Sequence, residues 1–188
     1  MITAHQLEVR AGARLLMENV SFRVASGDKV GLVGRNGAGK TTLTRILAGE
    51  ALPASGKVNA SGSVGYLPQD PRTGDPEVVA KDRILSARGL DDVVRRLRDA
   101  EADMASNDVK TRERGMRRYE RADAELHAGG GYGAEAEAAQ IASSLGIEDR
   151  ILKQPLRTLS GGQRRRVELA RILFSGAETL LLDEPTNH

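Results

Sequence analysis

The eight residues Gly34-Arg35-Asn36-Gly37-Ala38-Gly39-Lys40-Thr41 constrain the fold of this chain more than any other stretch. They fit the pattern G-x-x-x-x-G-K-[ST], follow a short apolar run at 29–33, and lead into a helical pattern at 41–48 that Gly49 ends. A strand, a glycine-rich turn and a helix in that order make a pocket for an anion. Glycine lets backbone N–H groups close inward without a Cβ in the way, and the helix N-terminus adds partial positive charge. In such a loop Lys40 would reach the β- and γ-phosphates of a nucleotide, and the Thr41 hydroxyl would ligate magnesium. An ordinary glycine-rich turn is the plainer reading, and the flanking strand and helix argue against it.

The 188 residues suffice for one domain, or one domain carrying a subdomain. Hydrophobic residues make up 39%, with no run near membrane-spanning length, so direct membrane insertion is not expected. Residues 1–6 lack the charged and apolar blocks of a signal peptide, and a cytoplasmic location is expected. The sequence has no cysteine, which excludes disulfides, thiolate zinc sites and thiol catalysis within it. A formal net charge of +2 is too small to argue for nucleic acid by itself.

Apolar and β-branched runs predict strands at 7–9, 15–24, 57–60 and 63–67, the last two joined by Ser61-Gly62. From about Pro76 to Gly146 charge becomes dense, and Leu90, Val93, Val94, Leu97 and Met104 recur at helical spacing. Residues 129–133 interrupt this pattern and 134–145 resume it. After Pro155 come a loop, a helix at 162–174 and a buried-strand run at 179–182. The expected fold class is α/β: a β-subdomain and phosphate-loop core at 1–70, a helical insert at 71–158, and a helix and strand at 159–188.

Two further motifs carry chemistry. Leu180-Leu181-Leu182-Asp183-Glu184 is an apolar strand ending in two acids, and a carboxylate there is costly unless a cation or hydrogen bonds compensate it. Asp183 suits a magnesium shell, and Glu184 suits a base that polarises an attacking water. Leu159-Ser160-Gly161-Gly162-Gln163 precedes a helix, with Ser160 at the N-cap and two glycines leaving backbone donors open. Alone, this second motif reads equally well as an ordinary capped helix start.

The phosphate loop, Gln69 in Tyr66-Leu67-Pro68-Gln69, Leu-Ser-Gly-Gly-Gln and Leu-Leu-Asp-Glu-Pro stand in the order found in ATP-binding-cassette (ABC) ATPases, across essentially the whole chain. The chain thus resembles that family. The resemblance implies a P-loop NTPase core of RecA-like type, with an N-terminal antiparallel β-subdomain and an interrupting helical signature subdomain. It also implies ATP and magnesium as ligands. Residues 34–42, Arg35, Asn36, Ala38 and Thr42 included, would surround the phosphates; Gln69 would join Thr41 and Asp183 at the metal and read the attacking water. Ser160, Gly161, Gly162 and Gln163 would contact the γ-phosphate held by a facing cassette, so that ATP is sandwiched between two. The family's switch histidine would lie beyond His188, which implies a C-terminally incomplete cassette.

The tail Asp183-Glu184-Pro185-Thr186-Asn187-His188 and the long interval between Gln69 and Ser160 resemble the ABC-F branch, whose members pair two cassettes in one chain and act on ribosomes. Two other readings stay open: the ATP-binding subunit of a membrane transporter, and a nucleotide-binding piece that does not hydrolyse. The family's adenine-stacking aromatic has no counterpart in Val9-Arg10-Ala11-Gly12; Arg10 is either a stacking guanidinium or a solvated strand-end charge. Lys110, Arg114, Arg117, Arg118 and Arg121 fall on one helical face, read either as a solvated surface or as a contact for RNA phosphates. The same two options hold for Arg164-Arg165-Arg166, with a place beside the ATP sandwich as the functional one.

Overall fold

A computed structural model of the protein describes residues 1–69 and 75–184, with only the backbone described at Tyr132. The chain divides into two compact units: Met1–Pro71 with Gly176–His188, and Arg72–Ser175. Residues 159–188, contiguous in sequence, are therefore shared between them.

The first unit opens with β1 (Ile2–Ala11) and β2 (Arg14–Val24), which pair antiparallel around a turn at Gly12, and β3 (Ser55–Ala60) joins the other edge of β1. A bulge sets which residues of β1 face inward. Ile2 and Ala4 are buried, and strict alternation would then bury Gln6. Gln6 instead takes a left-handed φ of 46° where the register slips, which moves the inward positions to Leu7 and Val9. Gly56 crosses β1 at this bulge with φ 85°, and a Cβ there would run into the Gln6 carbonyl. Helix α1 (Lys40–Leu47) lays Leu43 and Ile46 on the inward face of this sheet.

The chain then leaves the antiparallel sheet. Although only three residues separate them, β3 and β4 (Val64–Leu67) belong to different sheets, and β4 pairs in parallel with β5 (Thr179–Leu182). Parallel strands end at the same edge, so residues just past Leu67 and just past Leu182 come together.

Residues 29–33, expected as a strand, form none. The segment finds no ladder partner among the described residues, and Val30, Leu32 and Val33 are 69%, 46% and 91% exposed. An apolar run satisfies the sequence pattern for a strand, but the strand itself exists only once a neighbour supplies its hydrogen bonds.

The second unit is helical: α2 (Ala80–Leu85), α3 (Asp91–Met104), α4 (Val109–Ala128), α5 (Tyr132–Ser144), α6 (Asp149–Leu152) and α7 (Gly161–Phe174). One apolar core runs through it, including Leu90, Val93, Val94 and Leu97 of the expected periodic stripe, with Leu126, Leu156 and Phe174. Met104 of that stripe is half-buried. Helices α3 and α4 form an antiparallel hairpin. Gly115 lets them approach, since a Cβ there would lie 2.9 Å from Asp103 Cβ and the Met104 nitrogen. Arg118 donates to Asp103 at 2.8 Å, and Arg96 pairs with Glu125, across the same seam.

Buried charge also ties α2 to α7. The Glu168 carboxylate, 3% exposed, accepts from Arg83 at 2.6 and 3.2 Å and from Arg171 at 2.8 Å.

Candidate nucleotide site and signature motif

The glycine-rich loop runs from Gly34 into the first turn of α1. A turn forms where the Ala38 N–H donates to the Arg35 carbonyl at 3.1 Å, and Gly37 and Gly39 take φ values of 77° and 95°. Both angles favour glycine, and at Gly39 a Cβ would also lie 2.9 Å from Leu16 Cδ1. The loop backbone is thereby held against the β-subdomain. Lys40 folds back over it: Nζ donates to the carbonyls of Gly34 at 2.8 Å and Arg35 at 3.1 Å. A cation held by two loop carbonyls, next to helix amides that lack intrahelical acceptors, suits a phosphate chain as its counter-charge. Thr41 is exposed at the start of α1 and Thr42 half-buried behind it.

At the carboxyl edge of the parallel pair, the Asp183 N–H donates to the Leu67 carbonyl at 2.9 Å, extending the ladder by one residue. This holds Asp183 in the interior, 5% exposed. Glu184 follows with a left-handed φ of 49°, unfavourable for a residue with a side chain. From the end of β4, Gln69 reaches across, and its Nε2 donates to Glu184 Oε2 at 2.9 Å. Two residues singled out from sequence motifs far apart are thus in direct contact. Residues 185–188, including the Pro-Thr-Asn-His tail, lie outside the described residues.

Magnesium fits this donor set in one particular way. No group of three or more His, Cys, Asp or Glu side chains suited to a metal occurs among the described residues. Asp183, the Thr41 hydroxyl and the Gln69 side-chain oxygen are the protein oxygens expected at the metal. Magnesium commonly takes one or two protein ligands and completes its shell with phosphates and water. The site suits a metal that arrives with a nucleotide, and not a preformed cage.

Sequence reading missed one residue here. Tyr66 on β4 buries its hydroxyl without a hydrogen-bond partner among the described residues. Burial, then the charge of Asp183, then that of Glu50, push its pKa above the usual phenol value, and Arg45 opposes them. The neutral phenol is the stable form. Only the strand register could have revealed it.

In the second unit, Ser160 is the N-cap of α7. Its Oγ accepts from the Gln163 N–H at 3.2 Å, and the Gln163 side chain accepts from the Ser160 N–H at 2.8 Å, a reciprocal capping box. The Gln163 side chain is thus engaged by its own helix, a role that the Ser-x-x-Gln spacing signals in sequence. Gly161 differs: a Cβ there would meet nothing within 4 Å, and its φ is ordinary. Nothing local requires glycine at that position. Of the three arginines after the motif, Arg165 is buried, and Arg166 donates to the Gly146 carbonyl at 3.0 Å. Arg10 pairs with Glu8 on the same strand.

Residues 17–187 match the family model described as ABC transporter. The chain belongs to the ABC transporter family. The cassette is 38% identical to the tylosin resistance ATP-binding protein TlrC of Streptomyces fradiae, over 99% of this chain and 34% of that protein. It is 35% identical to the energy-dependent translational throttle protein EttA of Escherichia coli K12, over 93% of this chain and 31% of that protein. It is also 35% identical to ATP-binding cassette sub-family F member 3 of Pongo abelii, over 99% and 25%. The cassette spans about a third or less of the length of these relatives. Among solved structures, the dimeric ATP-binding cassette MJ0796 bound to ADP and Pi superposes with a TM-score of 0.64 at 20% identity, covering 99% of this chain and 75% of that one. The fold is that of an ABC ATPase cassette. No helix among the described residues is long and apolar enough to cross a membrane.

Proposed function

We propose that this cassette binds and hydrolyses ATP with magnesium, opposite a second cassette, in a protein that couples the cycle to the ribosome. The observation that carries the hydrolytic part is the 2.9 Å hydrogen bond between Gln69 and Glu184 at the carboxyl edge of the β4–β5 pair. In open parallel sheets ligands bind at that edge. An amide and a carboxylate held together there are suited to orienting one water and polarising it.

ATP with magnesium supplies the transferable γ-phosphoryl group and neutralises its charge. On the protein side, Lys40 leaves its two loop carbonyls for phosphate oxygens, and the loop amides of 34–42 wrap the same chain of charge. Thr41, Asp183 and Gln69 would hold the metal, and Gln69 would also read the attacking water. Glu184 takes the proton from the attacking water. Ser160 and Gly161 present backbone and hydroxyl donors to the nucleotide of the facing cassette, which accounts for a glycine whose own neighbourhood does not need one.

The ribosomal part rests on the relatives: one is a translational throttle and another a resistance protein for tylosin. Lys110, Arg117 and Arg121, exposed on one face of α4, are suited to RNA phosphates.

In the whole protein, Lys40→Ala is expected to abolish tight ATP binding. Glu184→Gln is expected to keep binding and slow single-turnover hydrolysis by about 10²–10⁴-fold. A Glu184→Gln protein turning over at the normal rate would remove the glutamate from this role.

A further inference from the structure

Helix α7 carries the Ser160–Gln163 capping box at its start, and Arg166 follows three residues later on the same helix face. The Arg166 side chain finds its partners outside its own helix. Its Nη1 donates to the carbonyls of Gly146 at 3.0 Å and Leu145 at 3.4 Å, at and just past the end of α5. That end is built to receive it. The Gly146 N–H donates to the Ser143 carbonyl at 2.9 Å and the Ile147 N–H to the Ala142 carbonyl at 3.0 Å, a paired helix stop that leaves the next two carbonyls for another donor. Gly146 takes a φ of 69°, and a Cβ there would lie 3.2 Å from Arg166 Nη1. Glycine thus serves both the turn and the approach of the guanidinium. A cation at this place also opposes the partial negative charge of the helix end. Packing alone does not close the seam: a recess of about 200 Å³ opens between Gly146, Ile147, Glu148 and Ile151 on one side and Gln163 and Arg166 of α7 on the other. Beside that gap, Arg166 is the tie between the capped start of α7 and the end of α5.

We propose that Arg166 is a positioning residue for the signature motif: tied to the end of α5, it fixes the direction in which Ser160 and Gly161 present their donors to the nucleotide of a facing cassette. This rests on the meeting of those two residues with that nucleotide, as proposed above. Arg166 acts only through its helix and is not a catalytic residue. Small shifts of such donors matter, since a misplacement of about 1 Å can cost about 10²-fold in rate.

Arg166→Met keeps a long apolar stem and removes the donors. Arg166→Lys restores a cation, and because both contacts use one nitrogen, an ammonium can replace it. The whole protein is assayed well below the thermal midpoint of every variant, where nearly all molecules are folded and a loss of stability alone leaves turnover unchanged. Arg166→Met is expected to lower kcat for ATP about tenfold, and Arg166→Lys to recover most of it. Binding of a fluorescent ADP analogue, which has no γ-phosphate to present, is expected to stay the same in both. An unchanged kcat makes Arg166 a packing residue and overturns the proposal. So does ADP binding that weakens along with kcat, or a lysine variant as slow as the methionine one. Ser160→Gly run alongside separates the two readings. If it lowers kcat and Arg166→Met does not, the arginine proposal alone fails. If it leaves kcat intact, the reading of the signature motif fails and takes the proposal with it.

Discussion

At the scale of single residues, the structure separates side chains held by local sequence from those held by distant partners. Glu168 is of the second kind: buried, and shared by Arg83 from α2 and Arg171 from its own helix. Removing the carboxylate leaves two guanidiniums facing each other in a partly buried space. Glu168→Ala is therefore expected to destabilise the helical unit by about 3 kcal/mol, and Glu168→Gln by less, as read from denaturant midpoints of the whole protein. The Glu168–Arg171 spacing of three is legible in sequence, but Arg83 is 85 residues away and nothing local announces it. Gln69 and Glu184 show the same division. Each was legible because it ends an apolar run beside a recognisable motif. Their mutual hydrogen bond, across 115 residues, depends on the parallel register of β4 and β5.

Among the elements, α7 was readable at both ends because its start is chemical: Ser160 caps it and Gln163 closes the box. That double role of Ser160 can be pulled apart. Ser160→Ala is expected to cost about 1 kcal/mol of stability through the lost cap, and Ser160→Gly only a few tenths. If Ser160 also meets nucleotide across a cassette pair, both variants lose ATP turnover alike. Thermal unfolding and steady-state ATPase rates on the two proteins check this, and turnover that tracks stability reduces Ser160 to a cap. The run at 29–33 was legible only as composition. Its apolar residues promised a strand, but strand pairing is decided by whatever lies alongside, and propensity carries no such information. The fates of β3 and β4 were hidden for the same reason, since neighbours in sequence parted to different sheets.

For the whole molecule, the two units present different kinds of exposed residue. On α4, Arg114 and Arg118 lie 3.6 and 2.8 Å from Asp103, which offsets part of the expected basic stripe. Lys110, Arg117 and Arg121 remain exposed on that face. Neutralising these three is expected to weaken ribosome co-sedimentation of the whole protein and to flatten its salt dependence, because fewer counterions are released. An unchanged salt slope makes the stripe a solvated helix surface. The other unit presents apolar surface where polar surface would be usual: Val30, Leu32 and Val33 lie open, and Leu180 and Leu182 of β5 are each 39% exposed. β4 and β5 also form only a two-stranded sheet among the described residues, with backbone groups along its outer edges available to any passing strand. With a net charge of only +2, long-range repulsion between molecules is weak. Added salt, which screens the little repulsion there is, is therefore expected to favour association through that edge, as read by light scattering.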